Sequence, residues 1–197
     1  MLVHTHVTPQ TPARVVVLGA GGFIGGTILQ RLETEKLTTL ALGRPGFDLL
    51  APDAATRLAG ELRSDDTLVF VSAQAPVKNP AMLLANLRMA EAVCAALQRQ
   101  PILHLIYISS DAVYKDSPEP LTEASCAEPG SLHGVMHLAR EIMLRGAHSG
   151  PLALLRPTLV HGLADPHNGY GPNRFRRLAA AGREIVLFGE GEERVPG

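Results

Sequence analysis

The 197-residue chain is short of cysteine and aromatic residues, with two cysteines, no tryptophan, three tyrosines and five phenylalanines. Cys94 and Cys126 are too few for a disulfide scaffold or a four-thiolate zinc site, so a reducing compartment is expected. An excess of one charge sign is also missing: 18 Lys and Arg against 19 Asp and Glu leave a formal net charge of −1. That balance gives no basis for binding nucleic acid or a membrane surface through bulk charge. No stretch reads as long and apolar enough to span a bilayer. Met1 to Pro12 has neither the basic start nor the apolar core of a signal peptide. The expectation is a cytoplasmic protein whose residues 1–13, with His4 and His6, form a flexible polar lead-in.

Apolar residues make up 46% of the chain and charged residues 19%, enough for a sizeable core and too apolar for a disordered chain. Short β-rich runs alternate with longer helical ones, as in βαβ units with a parallel sheet. Strands are expected at Arg14–Leu18, Thr38–Leu42, Thr67–Val71, Leu103–Ile108 and Leu152–Leu155, with a further one at Ile185–Phe188. Helices are expected at Gly22–Leu37, Pro52–Leu62, Ala81–Gln100 and Leu132–Arg145, and a short one after Pro172. In the first, Ile24, Ile28 and Leu32 repeat every four residues and form one buried stripe. Right-handed crossovers then predict a doubly wound parallel sheet with helices on both faces. Residues 14–160 would form this domain. The Gly- and Pro-rich stretch from His161 opens a second region, 161–197.

Gly19-Ala20-Gly21-Gly22-Phe23-Ile24-Gly25 joins the first strand to the first helix. Glycines at 19, 22 and 25 suit a tight turn, a close approach of backbone to a pyrophosphate, and close packing of helix on strand. The helix N-terminus adds free N–H groups and a positive dipole end for phosphates, near Phe23 and Ile24. Downstream stand Ala85-Asn86-Leu87, Tyr107-Ile108-Ser109-Ser110-Asp111-Ala112-Val113-Tyr114, Leu154-Leu155-Arg156-Pro157-Thr158-Leu159-Val160-His161-Gly162 and Phe188-Gly189-Glu190-Gly191. In that order these segments resemble the extended branch of the short-chain dehydrogenase/reductase superfamily, the NAD-dependent epimerase/dehydratase family. The resemblance implies a Rossmann-type domain with an incomplete C-terminal substrate-binding extension. It also implies a small-molecule substrate such as a nucleotide sugar, and a homodimer formed through the helices 81–100 and 132–145.

The residue ending the second strand meets the ribose 2′ position in such a fold. Here Gly43-Arg44 stands there, with no acid, and a guanidinium suits a 2′-phosphate. NADP is therefore favoured over NAD, unless Arg44 is a solvated loop residue. The resemblance implies adenine contacts at Asp48-Leu49 and further cofactor contacts at Ser72, Ala73, Pro157 and Thr158.

The family's catalytic Tyr-x-x-x-Lys pair is absent. Leu132-His133-Gly134-Val135-Met136-His137-Leu138-Ala139-Arg140-Glu141 aligns with that segment, with His133 in place of the tyrosine and His137 in place of the lysine. Ser110 matches the Ser or Thr that orients the substrate oxygen. The histidines are four residues apart and share a helix face. Imidazole, with an unperturbed pKa of about 6.5, carries protons near neutral pH without a lysine's help. Three readings are open: His133 as acid/base with His137 at the nicotinamide ribose; lost catalysis with retained nucleotide binding; or a metal pair. The last lacks the glutamate of a zinc-protease helix, since Gly134 follows His133, and no metal is expected. Asp111 follows Ser110 as the acid of sugar dehydratases does, but Ala112 stands where they carry glutamate, which disfavours dehydration. Asp111, Asn173, Arg174 and Arg183 are the expected substrate contacts.

Overall fold

The computed structural model describes residues 3–4, 7–117, 119–163, 165–166 and 171–187. Five strands, β1 (Arg14–Leu18), β2 (Thr39–Leu42), β3 (Asp66–Phe70), β4 (His104–Ile108) and β5 (Leu152–Leu155), form one parallel sheet in the order β2-β1-β3-β4-β5. The helices are α1 (Phe23–Thr34), α2 (Ala54–Glu61), α3 (Pro80–Arg99), α4 (Leu132–Ala147) and α5 (Gly171–Ala180), with a single 3-10 turn at Asp111–Val113. The doubly wound parallel sheet is the one the alternation predicted. The chain winds outward to β2, returns past β1 and continues the other way through β3, β4 and β5. The reversal leaves a crevice beyond the carboxyl ends of β1 and β3, where open α/β sheets bind ligands.

Strand alternation sorts the core into two layers. Val16, Leu18, Leu68, Phe70, Leu105 and Tyr107 face the helical layer that supplies Leu58, Met89, Val93, Leu97 and Leu144. Val15, Val17 and Val69 face the other way, against Ile28, Leu29 and Leu32 of α1. Strands buried on both faces read as unbroken apolar runs, which is why β1 was legible as Arg-Val-Val-Val-Leu. At its start Arg14 pairs in register with Asp66 and bonds both of that carboxylate's oxygens, at 2.7 and 2.6 Å.

Three expectations are corrected. Helix α1 ends at Thr34 and not at Leu37. Lys36 takes a left-handed φ of 58°, so that its N–H and that of Leu37 bond back to the carbonyls of Glu33 and Leu32, a Schellman closure. Helix α3 does have the length and composition of a membrane span, with a mean hydropathy of 1.3. Here Met89, Ala90, Val93, Ala96 and Leu97 put its apolar side into the core. Residues 185–187 form no strand, and Ile185, Val186 and Leu187 are exposed. Phe188, and the turn expected at Phe188–Gly191, lie outside the described residues.

Candidate functional site

The three loop glycines have different physical reasons. Gly19 adopts φ +113°, and a Cβ there would stand 2.7 Å from the backbone nitrogen of Ser72. A Cβ on Gly25 would fall 2.2 Å from the carbonyl oxygen of Gly19, so helix and loop touch backbone to backbone. Gly22 is under neither constraint. Its φ is −85°, and a Cβ would meet nothing closer than 3.5 Å. The space beside Gly22 is open toward the cleft, and the fold itself does not require a bare backbone there.

The first intrahelical bond of α1 runs from Gly26 N–H to the Gly22 carbonyl at 2.8 Å. Phe23, Ile24 and Gly25 thus have no acceptor within the helix. No side chain caps this end and no acid stands in the first turn. Donors and positive dipole end together face a cleft of about 790 Å³.

Each strand end contributes to that cleft. Gly19, Gly22, Phe23 and Ile24 come from the β1–α1 loop, and Arg44, Asp48 and Leu49 from the segment after β2. Ser72 and Ala73 follow β3, Ser110 and Asp111 follow β4, and Pro157 and Thr158 follow β5. His133 and His137 reach it from α4. Gly25 packs beneath the loop. Arg44 is exposed, while Leu49 is buried and the Asp48 carboxylate accepts from the Leu50 N–H at 3.0 Å.

Helix α4 is set by its first turn. Ser131 caps it, accepting from the Gly134 N–H at 3.1 Å. A Cβ on Gly134 would lie 1.9 Å from the carbonyl oxygen of Ala112, so α4 rests directly on the 3-10 turn. This contact brings His133 to Asp111. Burial lowers the pKa of His133, and the Asp111 carboxylate partly opposes that. Nδ1 of His133 is sealed and has no hydrogen-bond partner. His137 stands edge-on to it, ring centroids 4.7 Å apart. Its own Nδ1 lies 2.8 Å from the Tyr107 hydroxyl. Burial, with His133 and Arg140 beside it, pushes the pKa of His137 down to about 3. The expectation of imidazoles titrating near neutral pH is therefore corrected downward for both. Ser110 donates to Asp111 and accepts from the Ala112 N–H, each at 3.1 Å, so its hydroxyl caps the turn as well as facing the cleft.

The expected substrate residues divide. Asp111 lies in the cleft. Asn173 is buried and bonds the carboxylate of Asp165, which holds α5 to the segment before it. Arg174 and Arg183 do not line the cleft. Among the described residues no group of three His, Cys, Asp or Glu could hold a metal ion.

Two residues the sequence reading left out of the site prove central. Tyr107, read as packing, holds His137. Arg140 is wholly buried in α4, bonds the backbone carbonyls of Asn86 and Ser72, and lies 5.0 Å over the Phe70 ring. Next to it, buried Glu141 accepts from Ser109 at 2.6 Å and from Arg156 at 2.9 and 2.6 Å, tying α4 to the ends of β4 and β5.

Solved structures with this fold include the UDP-N-acetylglucosamine 4-epimerase from Bacillus cereus, at TM-score 0.76 and 22% identity, with 88% of this chain and 63% of that one covered. The UDP-glucuronic acid 4-epimerase from Bacillus cereus, in complex with UDP-glucuronic acid and NAD, matches at TM-score 0.72 and 18% identity over 90% and 66%. The dTDP-4-dehydrorhamnose reductase from Bacillus anthracis, in complex with NADP, matches at 0.71 and 22% over 87% and 60%. The chain thus spans less than two thirds of each of these structures. Comparison with curated proteins gives no significant sequence match. The family model for NAD-dependent epimerases and dehydratases matches residues 15–196, and the chain belongs to that family.

Proposed function

We propose that the chain binds a nicotinamide dinucleotide, NADP ahead of NAD, and serves an epimerase or reductase acting on a nucleotide sugar or a related hydroxy or keto compound. The observation that carries this reading is Gly22: bare backbone that no packing requires, beside unpaired N–H groups at a helix start. The solved neighbours named above add support, since their ligands are NAD, NADP and UDP-glucuronic acid. Phe23 and Ile24 would hold the pyrophosphate and Arg44 a 2′-phosphate. Asp48 and Leu49 would meet adenine, and Ser72, Ala73, Pro157 and Thr158 the remaining cofactor surface. When bound, the nicotinamide supplies a hydride donor or acceptor for a substrate carbon. Ser110 would orient the substrate oxygen, and partly buried His133 would hold or release the proton there, its charged form supported by Asp111. The helices α3 and α4 leave Leu84 and Ile142 exposed, which accords with the homodimer expected from the family.

A second reading, cofactor binding without turnover, has its own observation. The Ser110 proton is already directed at Asp111, and His137 brings no cation where the family carries lysine. Calorimetry with NADP⁺ and NAD⁺, on the chain and on Gly22→Asp, tests the shared core of both readings. Loss of binding in the variant is expected, and equal binding would refute the site. Redox change of bound cofactor with any nucleotide sugar then separates the enzyme from the binding module.

A further inference from the structure

Beneath the cleft, the neighbours of His137 leave its single proton one place to go. Tyr107 is fully buried in β4, and its hydroxyl lies 2.8 Å from His137 Nδ1. Arg140, three residues beyond His137 on α4, is fully buried as well, and its guanidinium acts on the same hydroxyl. Guanidinium has donors only. It is fixed in place by the Asn86 carbonyl, at 3.0 and 2.7 Å, and the Ser72 carbonyl at 2.8 Å. A phenol beside a fixed cation turns its oxygen lone pairs toward that cation and its hydrogen away, here toward His137. Burial holds the phenol protonated, with its pKa pushed up to about 12, and keeps the imidazole neutral. Nδ1 of His137 therefore accepts, and the proton of the ring sits on Nε2.

The two nitrogens of an imidazole point away from each other, so an Nδ1 turned into the core leaves Nε2 turned out. Among the described residues His137 makes its side-chain hydrogen bond through Nδ1 and none through Nε2, and the sealed side-chain atom without a partner is Nδ1 of His133, so Nε2 of His137 is not sealed. His137 lines the cleft. We infer that His137 presents a fixed, uncharged Nε2–H donor to the cleft, held in that tautomer by Tyr107 and Arg140, for a hydroxyl oxygen of a ribose or sugar. Tyr107 and Arg140 are positioning residues in this arrangement. The identity of the acceptor rests on the dinucleotide reading above, whereas the tautomer does not.

The experiment is nitrogen-15 NMR of the histidine side chains in the whole chain at pH 7, without ligand. His137 should show a pyrrole-type Nε2 and a pyridine-type Nδ1. A pyrrole-type Nδ1, alone or together with Nε2, overturns the assignment. Tyr107→Phe should mix the two tautomers, and an unchanged spectrum in that variant would remove Tyr107 from the role. If the variant does not fold, the wild-type spectrum still decides the tautomer. Titration with NADP⁺ should move the Nε2–H resonance if the acceptor is a cofactor ribose. A shift with UDP-glucose alone would place the acceptor on a sugar. No shift with either, while calorimetry shows NADP⁺ bound, overturns the donor role. Absence of NADP⁺ binding would sink the dinucleotide reading and leave the tautomer standing. His137→Phe should weaken NADP⁺ binding about fivefold, as expected for one neutral hydrogen bond.

Discussion

Replacing His137 by glutamine should remove an acid liability from the fold. In the native chain the imidazole is 6% exposed, bonded to Tyr107 and flanked by Arg140 and His133, with its pKa pushed down to about 3. In the unfolded chain a histidine titrates at about 6.5. The folded value is the lower one, so between these limits the unfolded state binds more protons and stability falls as pH falls. The contribution is complete above about pH 6.5 and declines by about 1.4 kcal/mol per pH unit below it, until pH approaches the folded value. From pH 8 to pH 5 that amounts to about 2 kcal/mol. Burial lowers His104, His133 and His148 as well, so a single stability curve would combine several groups. The difference between wild type and His137→Gln isolates one. Urea unfolding of both proteins at pH 8 and pH 5 should show the wild-type advantage shrinking by about 2 kcal/mol at the lower pH. An advantage of equal size at both pH values would refute a buried, neutral His137.

Other changes separate packing from binding. Gly22→Asp should unfold at the wild-type temperature yet lose dinucleotide binding, whereas Gly25→Ala should cost about 3 kcal/mol because its methyl meets a backbone carbonyl; matched melting curves check both. A charge-assisted contact to Arg44 predicts NADP⁺ bound about tenfold tighter than NAD⁺, and Arg44→Ala should erase the difference in calorimetry. Asp66→Ala leaves the Arg14 guanidinium nearly buried without its carboxylate and should cost about 3–5 kcal/mol in urea unfolding. His133→Phe should lower turnover about a hundredfold, and the wild-type rate should titrate below about pH 6.5, since burial lowers that imidazole. A retained rate in that variant would favour the binding module.

The parts of the fold legible from sequence are those where one physical pattern dominates. Val15, Val16 and Val17 face both helical layers, so β1 could be read from its run of apolar residues alone. The glycine loop was legible because its demands are local to a few residues. Helix ends were less so: nothing in Lys36 announces a left-handed residue, since glycine is the usual choice there. Ile185-Val186-Leu187 has a strand's composition, but a strand also needs a neighbour to bond, and the described residues provide none there. Helix α3 shows the reverse error. Its length and composition do match a bilayer span, which the expectation of no such stretch passed over, and only packing shows where that apolar side goes.

The candidate site shows the same limit in its electrostatics. Four-residue spacing placed His133 and His137 on one helix face, and the structure brings both to the cleft. Spacing does not carry protonation, which depends on what surrounds each ring. An arginine in a helix ordinarily reads as a solvated surface residue. Arg140 is buried because parallel β3 and the α3–α4 packing set the carbonyls of Ser72 and Asn86 around it. The positive charge of Arg140 is therefore engaged by the Asn86 and Ser72 carbonyls, which holds the loop after β3. It sits beneath His137, and His137 itself is neutral. A proton taken up at His133 would have the Asp111 carboxylate as its nearby counter-charge, opposed by its own burial. Two histidines one helical turn apart thus meet different surroundings, His137 against Tyr107 and Arg140 and His133 against Asp111, and the protonation of each follows from its neighbours and not from the spacing.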